Sequence, residues 1–178
     1  PLLREITLDE YRIELREPFR IPGDCHTGVV VLDRNLPEVT DCLCNQLIDR
    51  AVSGEEITPF DLFVIESGSD RDRLSRYTTH HFVNDATVKI GLRIASGINA
   101  AIKLLPGYDF YGFFTNDVIL THLIDTIGTA QKYFYQYPKL GLIECLGASD
   151  GFQIRNPDSG AFKPVTLNPY PCIFRPNP

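Results

Sequence analysis

The chain has 178 residues, of which 17 are Lys or Arg and 23 are Asp or Glu, so its formal net charge is −6. A hydrophobic fraction of 43% and a charged fraction of 22% are ordinary globular values and exclude a disordered or collagen-like chain. We expect a single domain over residues 1–178, because a chain of this length buries a sufficient core without disulfides or metals.

The first third of the chain predicts a half-buried strand, a buried strand and a helix. Residues 11–15 alternate between apolar and charged side chains, the period of a strand with one face in the core. Residues 29–32 are all Val or Leu, as in a strand buried on both faces. The helix is expected to follow Asn35 as its cap, to have Pro37 in its first turn and to end before Gly54. Its apolar stripe consists of Val39, Leu43, Leu47 and Ala51.

The middle of the chain predicts another buried strand and a β-hairpin. Residues 62–65 form a second short apolar run, again typical of a buried strand. Residues 77–83 and 87–94 are expected to pair across a turn at residues 84–85. The second of these segments alternates strictly between apolar residues and Lys, Gly or Arg, which is the clearest strand pattern in the sequence.

The C-terminal half repeats this order of patterns. An aromatic strand is predicted over residues 108–114, and a helix is predicted to begin after Thr115 or Asn116 and to end at Pro138. A buried strand over residues 140–146 and a hairpin formed by two further short segments follow. The hairpin segments are residues 152–155 and 162–166.

These elements predict an α+β fold with one or two mostly antiparallel sheets and two principal amphipathic helices. Residues 29–95 and 108–167 share the order strand, helix, strand and hairpin, which indicates an internal pseudo-twofold repeat. Short matched sequences support the repeat, since Leu47-Ile48-Asp49 corresponds to Leu123-Ile124-Asp125. A pseudo-twofold domain predicts symmetric assembly by edge pairing, and we therefore expect a homo-oligomer.

Charge, hydropathy and cysteine content bear on partners and compartment. The acidic excess argues against nucleic acid as a partner, because such binding depends on clustered Lys and Arg. No apolar run approaches the roughly 20 residues of a membrane span, so we expect no membrane association. The five cysteines are an odd number, and residues 1–6 lack the features of a signal peptide, so we expect free thiols and a cytoplasmic location.

Few sequence motifs indicate chemistry. The sequence has no phosphate-binding loop, dinucleotide fingerprint or metal-binding motif, and we predict no cofactor and no metal. His122 and Asp125 are three residues apart on the second predicted helix, so they share a face and could act as an acid–base pair. The same spacing is more often that of a polar stripe that faces solvent.

Aromatic residues are more numerous in two segments than one small core requires. Tyrosine suits surfaces that are half apolar and half wet, so some of these rings are expected at an interface or a pocket. The candidate binding residues are Tyr108, Phe110, Tyr111, Tyr133 and Tyr135.

One stretch of about 50 residues resembles a known family. Residues 112–117, leading into residues 123–126, resemble the loop and central helix of hot-dog-fold thioesterases and dehydratases. Residues 152–157, followed by Gly160, are similar to the strand and turn after that helix. Phe113 stands where such dehydratases have a catalytic His. The resemblance implies an enzyme that acts on an acyl thioester.

Two functional hypotheses follow from the sequence. The first is a soluble, intracellular, non-catalytic domain that acts by binding, as a structural or regulatory subunit that self-associates and contacts a protein partner. The second is a hot-dog-like enzyme in which His122 and Asp125 supply acid and base. They differ in whether the polar stripe of the second helix borders a closed pocket or faces solvent.

Overall fold

The structure is a computed structural model that describes residues 4–8, 11–21, 23–53, 58–83, 99, 103–105, 107–116, 126–145, 152–154 and 172–175. Ten strands in these ranges belong to one sheet. The strands are β1 (Arg4–Leu8), β2 (Tyr11–Leu15), β3 (Phe19–Arg20), β4 (Thr27–Asp33), β5 (Asp61–Ser67), β6 (Thr78–Phe82), β7 (Phe110–Thr115), β8 (Leu142–Cys145), β9 (Phe152–Ile154) and β10 (Cys172–Phe174). Helix α1 spans Pro37–Ser53 and α2 spans Thr126–Gln136, and Arg71–Arg73 form one 3₁₀ turn.

The sheet has a parallel centre and antiparallel flanks. Its strand order is β1-β2-β6-β5-β4-β7-β10-β8-β9, with β3 paired to β5. Strands β6, β5, β4 and β7 lie side by side and run parallel. Antiparallel strands continue the sheet on both sides, β2 and β1 beyond β6, and β10, β8 and β9 beyond β7.

The predicted α+β fold with a mostly antiparallel sheet is therefore wrong. Helix α1 connects two adjacent parallel strands, β4 and β5, and such a βαβ crossover defines an α/β arrangement. Parallel strands buried on both faces read as continuous apolar runs, which is the pattern of residues 29–32 and 62–65. The parallel arrangement therefore accounts for patterns that the sequence interpretation assigned only to buried strands.

Several local predictions are confirmed. Strands β4 and β5 cover the two predicted apolar runs, and almost every residue in them is buried. Helix α1 begins at Pro37 and ends one residue before Gly54. The predicted partner strand at residues 87–94, the start of the second helix and the segment 162–166 lie outside the described residues. The pseudo-twofold repeat and the single domain consequently remain predictions.

The core has a separate cluster on each face of the central strands. On the α1 face, Leu43, Cys44 and Leu47 of the helix pack against alternate residues of β4 and β5. Ile127 of α2 joins this cluster, so both helices contribute to the same face. The opposite face holds a second cluster: Ile13, Val30, Phe63, Ile65, Phe82, Leu105, Tyr111 and Phe113. Neither helix in the described part of the chain is long and apolar enough to cross a bilayer.

The packing of α1 predicts unequal costs for two leucines. Leu43 is 1% exposed within the α1 cluster, whereas Leu36 precedes the helix and is 48% exposed. We expect Leu43→Ala to lower the unfolding free energy by about 2–5 kcal/mol, because it leaves a cavity in the core. Leu36→Ala, the matched control, should change it by less than about 0.5 kcal/mol. Urea denaturation measures both values, and equal costs would contradict the packing described.

Candidate functional site

The carboxyl ends of the four parallel strands meet at one edge of the sheet. Across the sheet, the four parallel strands lie in the order β6-β5-β4-β7. Numbered by their order in the chain, they are the third, second, first and fourth parallel strands. The chain leaves β4 through α1 towards β5 on one side, while β7 lies on the other side. The strand order therefore reverses between β4 and β7. In open α/β sheets, ligands bind in the crevice beyond the carboxyl ends at such a switch point.

A row of four titratable residues crosses this edge of the sheet. Asp33 of β4 is in register with Glu66 of β5, Glu66 with His81 of β6, and His81 with Glu14 of β2. Residues in register on neighbouring strands project from the same face, which here is the α1 face. Each of the four is at most 5% exposed. We call Asp33, Glu66, His81 and Glu14 the polar row.

Asp33 lies at the end of the polar row beside the switch point. Its Oδ1 accepts a hydrogen bond from the backbone N–H of Arg34 and another from Nδ2 of Asn116, both at 2.7 Å. Its Oδ2 is buried and has no hydrogen-bond partner among the described residues. A buried carboxylate oxygen without a donor carries a cost of about 1–3 kcal/mol. Oδ2 is therefore an acceptor of the polar row for which the described residues supply no donor.

Glu66 is the most deeply buried carboxyl group of the polar row. Its Oε1 accepts from the Ser75 N–H at 2.8 Å and the Thr78 hydroxyl at 2.9 Å, and its Oε2 accepts from the Ser69 hydroxyl at 2.6 Å. Burial raises the pKa of Glu66 to about 7, and the negative charge of Asp33 adds to this effect. The three hydrogen bonds act in the opposite direction. Both oxygens are occupied by protein donors, so Glu66 holds the site together rather than facing a ligand.

His81 and Glu14 form the other half of the polar row. The His81 Nε2 lies 2.9 Å from the Ser69 carbonyl oxygen, and because a carbonyl only accepts, Nε2 carries the hydrogen. The His81 Nδ1 lies 3.4 Å from Oε2 of Glu14. Glu14 also forms an ion pair with Arg71, and the Arg12 guanidinium is 3.9 Å away. This carboxylate is thus compensated by cations.

The arginines of the segment after β5 all have acidic partners from other elements. Arg71 pairs with Glu14, as described above. Arg73 lies 3.6 Å from Glu38, and Arg76 lies 3.7 Å from Asp41. Arg34 differs, because it directly follows Asp33, is exposed and has no ion pair with any of the described residues. It is a cation at the switch point without a described acidic partner.

The predicted site residues that the structure describes lie away from the polar row. His122 and Asp125 are outside the described residues. The five aromatic candidates belong to the opposite, amino edge of β7 and to α2. The Tyr108 hydroxyl donates to Asp61, and the Tyr111 hydroxyl donates to the Leu105 carbonyl. Phe110 stacks on Phe134, with ring centroids 5.1 Å apart. Tyr135 packs edge-on against Phe110 at 5.6 Å and is 61% exposed, and Tyr133 stacks against Tyr137. Burial and the Asp61 carboxylate raise the pKa of Tyr108.

Sequence reasoning missed the polar row and Asn116. A usable signal was present, because Asp33 directly follows the apolar run 29–32 and Glu66 directly follows the apolar run 62–65. Two carboxylates at equivalent places after two buried strands indicate a common edge once the strands are taken as parallel. Among the described residues, no group of three His, Cys, Asp or Glu side chains is arranged to hold a metal ion.

No protein-family model and no curated protein matches the sequence. Among solved structures, the chain is similar to a mannosyltransferase from Pyrobaculum calidifontis in complex with GDP-mannose and Mn²⁺, at 15% identity and a TM-score of 0.48. The match covers 72% of this chain and 39% of the mannosyltransferase, so the chain spans less than half of that protein's length.

Both functions predicted from the sequence are wrong. The hot-dog hypothesis is wrong because a hot-dog sheet is antiparallel, whereas the central strands here are parallel and joined through α1. The hypothesis of a non-catalytic, self-associating domain is also wrong: it rested on the scarcity of sequence motifs that indicate chemistry, whereas the structure gathers four buried titratable side chains in the polar row.

The raised pKa of Glu66 predicts a specific pH dependence of stability. The folded-state pKa of about 7 exceeds the ordinary value of 4.5, so the native state binds the proton more tightly than the unfolded chain. The contribution of Glu66 to the unfolding free energy is therefore complete below pH 4.5 and is lost as the pH rises through about 7. The total loss is on the order of 3 kcal/mol.

Glu66→Gln keeps the side-chain shape and removes the titration. Denaturant unfolding of both proteins at a series of pH values should give a difference curve that falls between pH 4.5 and about 7, with the wild type losing stability relative to the variant. Parallel stability curves over that interval would show that Glu66 titrates as an ordinary carboxyl group.

Proposed function

We propose that the chain binds a nucleotide in the crevice between the carboxyl ends of β4 and β7. The single observation that carries the proposal is the buried Asp33 carboxylate at the switch point, with one oxygen held by Arg34 and Asn116 and the other without a described donor. Strand order, hydrogen-bonding chemistry and local charge each support this ligand class.

The strand order supports a nucleotide over other small molecules. Parallel strands in the order third, second, first, fourth, with a helical crossover between the first two, match the first four positions of the dinucleotide-binding order 3-2-1-4-5-6. The segment after β4 has no glycine between Asp33 and Pro37, so it lacks the loop that brings a pyrophosphate onto a helix N-terminus. The phosphates must therefore contact other residues than the start of α1.

The chemistry of the Asp33 carboxylate determines which part of a nucleotide can bind next to it. An ionised carboxylate only accepts hydrogen bonds, so it suits ribose hydroxyls or base N–H groups and repels phosphate. Carboxylates near the ends of parallel strands bind ribose hydroxyls in dinucleotide-binding folds. We therefore assign the nucleoside part of the ligand to Asp33, with Asn116 holding the carboxylate in place.

Arg34 is suited to the phosphates. It is exposed at the switch point, directly next to Asp33, and the described residues offer it no acidic partner. A guanidinium group binds phosphate oxygens with two parallel hydrogen bonds. Adjacent residues thus present an acceptor for the nucleoside and a donor for the phosphates, although the whole chain is acidic.

Asp33→Asn tests the assignment of the nucleoside part. The amide oxygen of Asn can still accept from Arg34 and Asn116, so the fold is expected to persist, while the charged acceptor at Oδ2 is lost. Affinity for a nucleoside diphosphate should fall about ten- to one-hundred-fold, because a hydrogen bond to a charged group is removed. Calorimetric titration with UDP, GDP, ADP and GDP-mannose measures this, and no binding of any of them to the wild type would refute the proposal.

Arg34→Ala tests the assignment of the phosphates. The variant should bind a nucleoside diphosphate about tenfold more weakly and the corresponding nucleoside with unchanged affinity. Arg20→Ala is the matched control, because Arg20 pairs in register with Asp61 at the opposite edge of the sheet. It removes the same charge and should leave both affinities unchanged. Equal losses for nucleoside and diphosphate in Arg34→Ala would contradict the assignment.

Assembly and compartment remain proposals of their own. The exposed rings of Tyr135 and Tyr137 at the end of α2 support a homo-oligomer, since aromatic side chains are enriched at interfaces. The free thiols of Cys25, Cys42 and Cys44 support a reducing, cytoplasmic compartment. Light scattering after size exclusion tests the assembly, and a monomer at high concentration would contradict it.

A further inference from the structure

Asn35 adopts a backbone conformation that is rare for its residue type. It has a φ of 57° and is the only non-glycine residue with a positive φ among those described. Asn tolerates this left-handed region better than most residues, but the conformation still costs free energy and persists only where the surroundings enforce it. Such residues concentrate at functional sites, and Asn35 lies two positions after Asp33.

Every polar group of Asn35 is bonded to one segment, residues 69–73. Its backbone N–H donates to the Ser69 hydroxyl at 3.0 Å, and its carbonyl accepts from Nη2 of Arg73 at 2.8 Å. Its side-chain Oδ1 accepts from the Asp70 N–H at 2.8 Å, and its Nδ2 donates to the Asp70 carboxylate at 3.2 Å. We call these four hydrogen bonds the Asn35 clamp.

The clamped segment, residues 69–73, is hydrogen-bonded to the polar row through Ser69. The Ser69 hydroxyl that accepts from Asn35 donates in turn to Glu66, and the Ser69 carbonyl accepts from His81. The clamp therefore joins the chain leaving β4 to the segment that connects β5 and β6. Because Asn35 lies two residues after Asp33, the last residue of β4, the clamp also fixes the direction in which the chain leaves Asp33.

We infer that Asn35 is a positioning residue for the nucleotide site, an inference that rests on the proposed function. Its left-handed conformation lets both backbone groups and the side chain reach residues 69–73 together. The clamp holds the Asp33 connection rigid before the ligand arrives, so less ordering is required on binding. Removing it should weaken binding although Asn35 itself need not touch the nucleotide.

Asn35→Gly separates positioning from folding. Glycine adopts the left-handed conformation without strain, and only the two side-chain hydrogen bonds to Asp70 are lost. Residues 69–73 keep other anchors, namely Ser69 to Glu66, His81 to Ser69 and Arg71 to Glu14. The melting temperature should therefore stay within about 5 °C of the wild type.

Two readouts test the clamp. Hydrogen exchange of the Asp70 amide, followed by NMR without any nucleotide, should become at least about tenfold faster in Asn35→Gly, because that amide donates to Oδ1 of Asn35. Calorimetric titration with UDP, GDP and ADP, each separately, should give about tenfold weaker binding. Asn45→Ala is the control, since Asn45 bonds Arg76 and Tyr77 outside the clamped segment and should change neither readout.

Each outcome decides between distinct conclusions. Faster exchange with weaker binding supports the inference. Unchanged exchange at Asp70 shows that the clamp does not hold the segment, and faster exchange with unchanged affinity shows that the clamp is structural only; either result overturns the inference. If the wild type binds none of the three nucleotides, the proposed function fails and the positioning role with it, while the exchange data still report on the clamp.

Discussion

The parallel pairing of β4 on both of its sides is the constraint on which the rest of the structure depends. β4 pairs with β5 through Gly28–Asp33 and with β7 through Thr27–Leu32, and its side chains pack into clusters on both faces. Asp33 is the last residue of this strand, and its side chain is buried between the neighbouring strands. The same pairing places the reversal of strand order beside Asp33, so the pairing that forms the centre of the fold also positions the site.

The three carboxylates of the polar row are accommodated by different physical means. Arg71 and Arg12 compensate Glu14 by charge. Glu66 has no ion pair with the part of the chain that the structure describes, and it is accommodated by three neutral donors and by a pKa near neutrality. Among the described residues, Asp33 has donors at one oxygen and none at the other. Burying an incompletely bonded charge is unfavourable, so the Asp33 end of the row is where the described residues leave a carboxylate oxygen open to a further donor.

Local sequence patterns predicted the elements better than their arrangement. The runs 29–32 and 62–65 and the bounds of α1 follow from patterns that extend over a few residues. Strand order depends on which distant segments pair, so the parallel centre was missed. Two asparagines illustrate the limit: Asn35 and Asn116 were each interpreted as helix caps, yet Asn35 bonds Asp70 and Asn116 bonds Asp33, 35 and 83 residues away in sequence. Contacts of that separation leave no local pattern.

The central claim is that the carboxyl edge of the parallel strands binds the nucleotide, and chemical-shift mapping tests it most directly. A ¹⁵N-labelled chain titrated with GDP, UDP or ADP should show its largest amide shifts at Arg34, Asn35 and Asn116, around the crevice between β4 and β7. Shifts concentrated at His26, Asp61 and Asp109 would place the ligand at the amino edge of the parallel strands, opposite to the proposed site. That result, or spectra unchanged by all three nucleotides, would contradict the account.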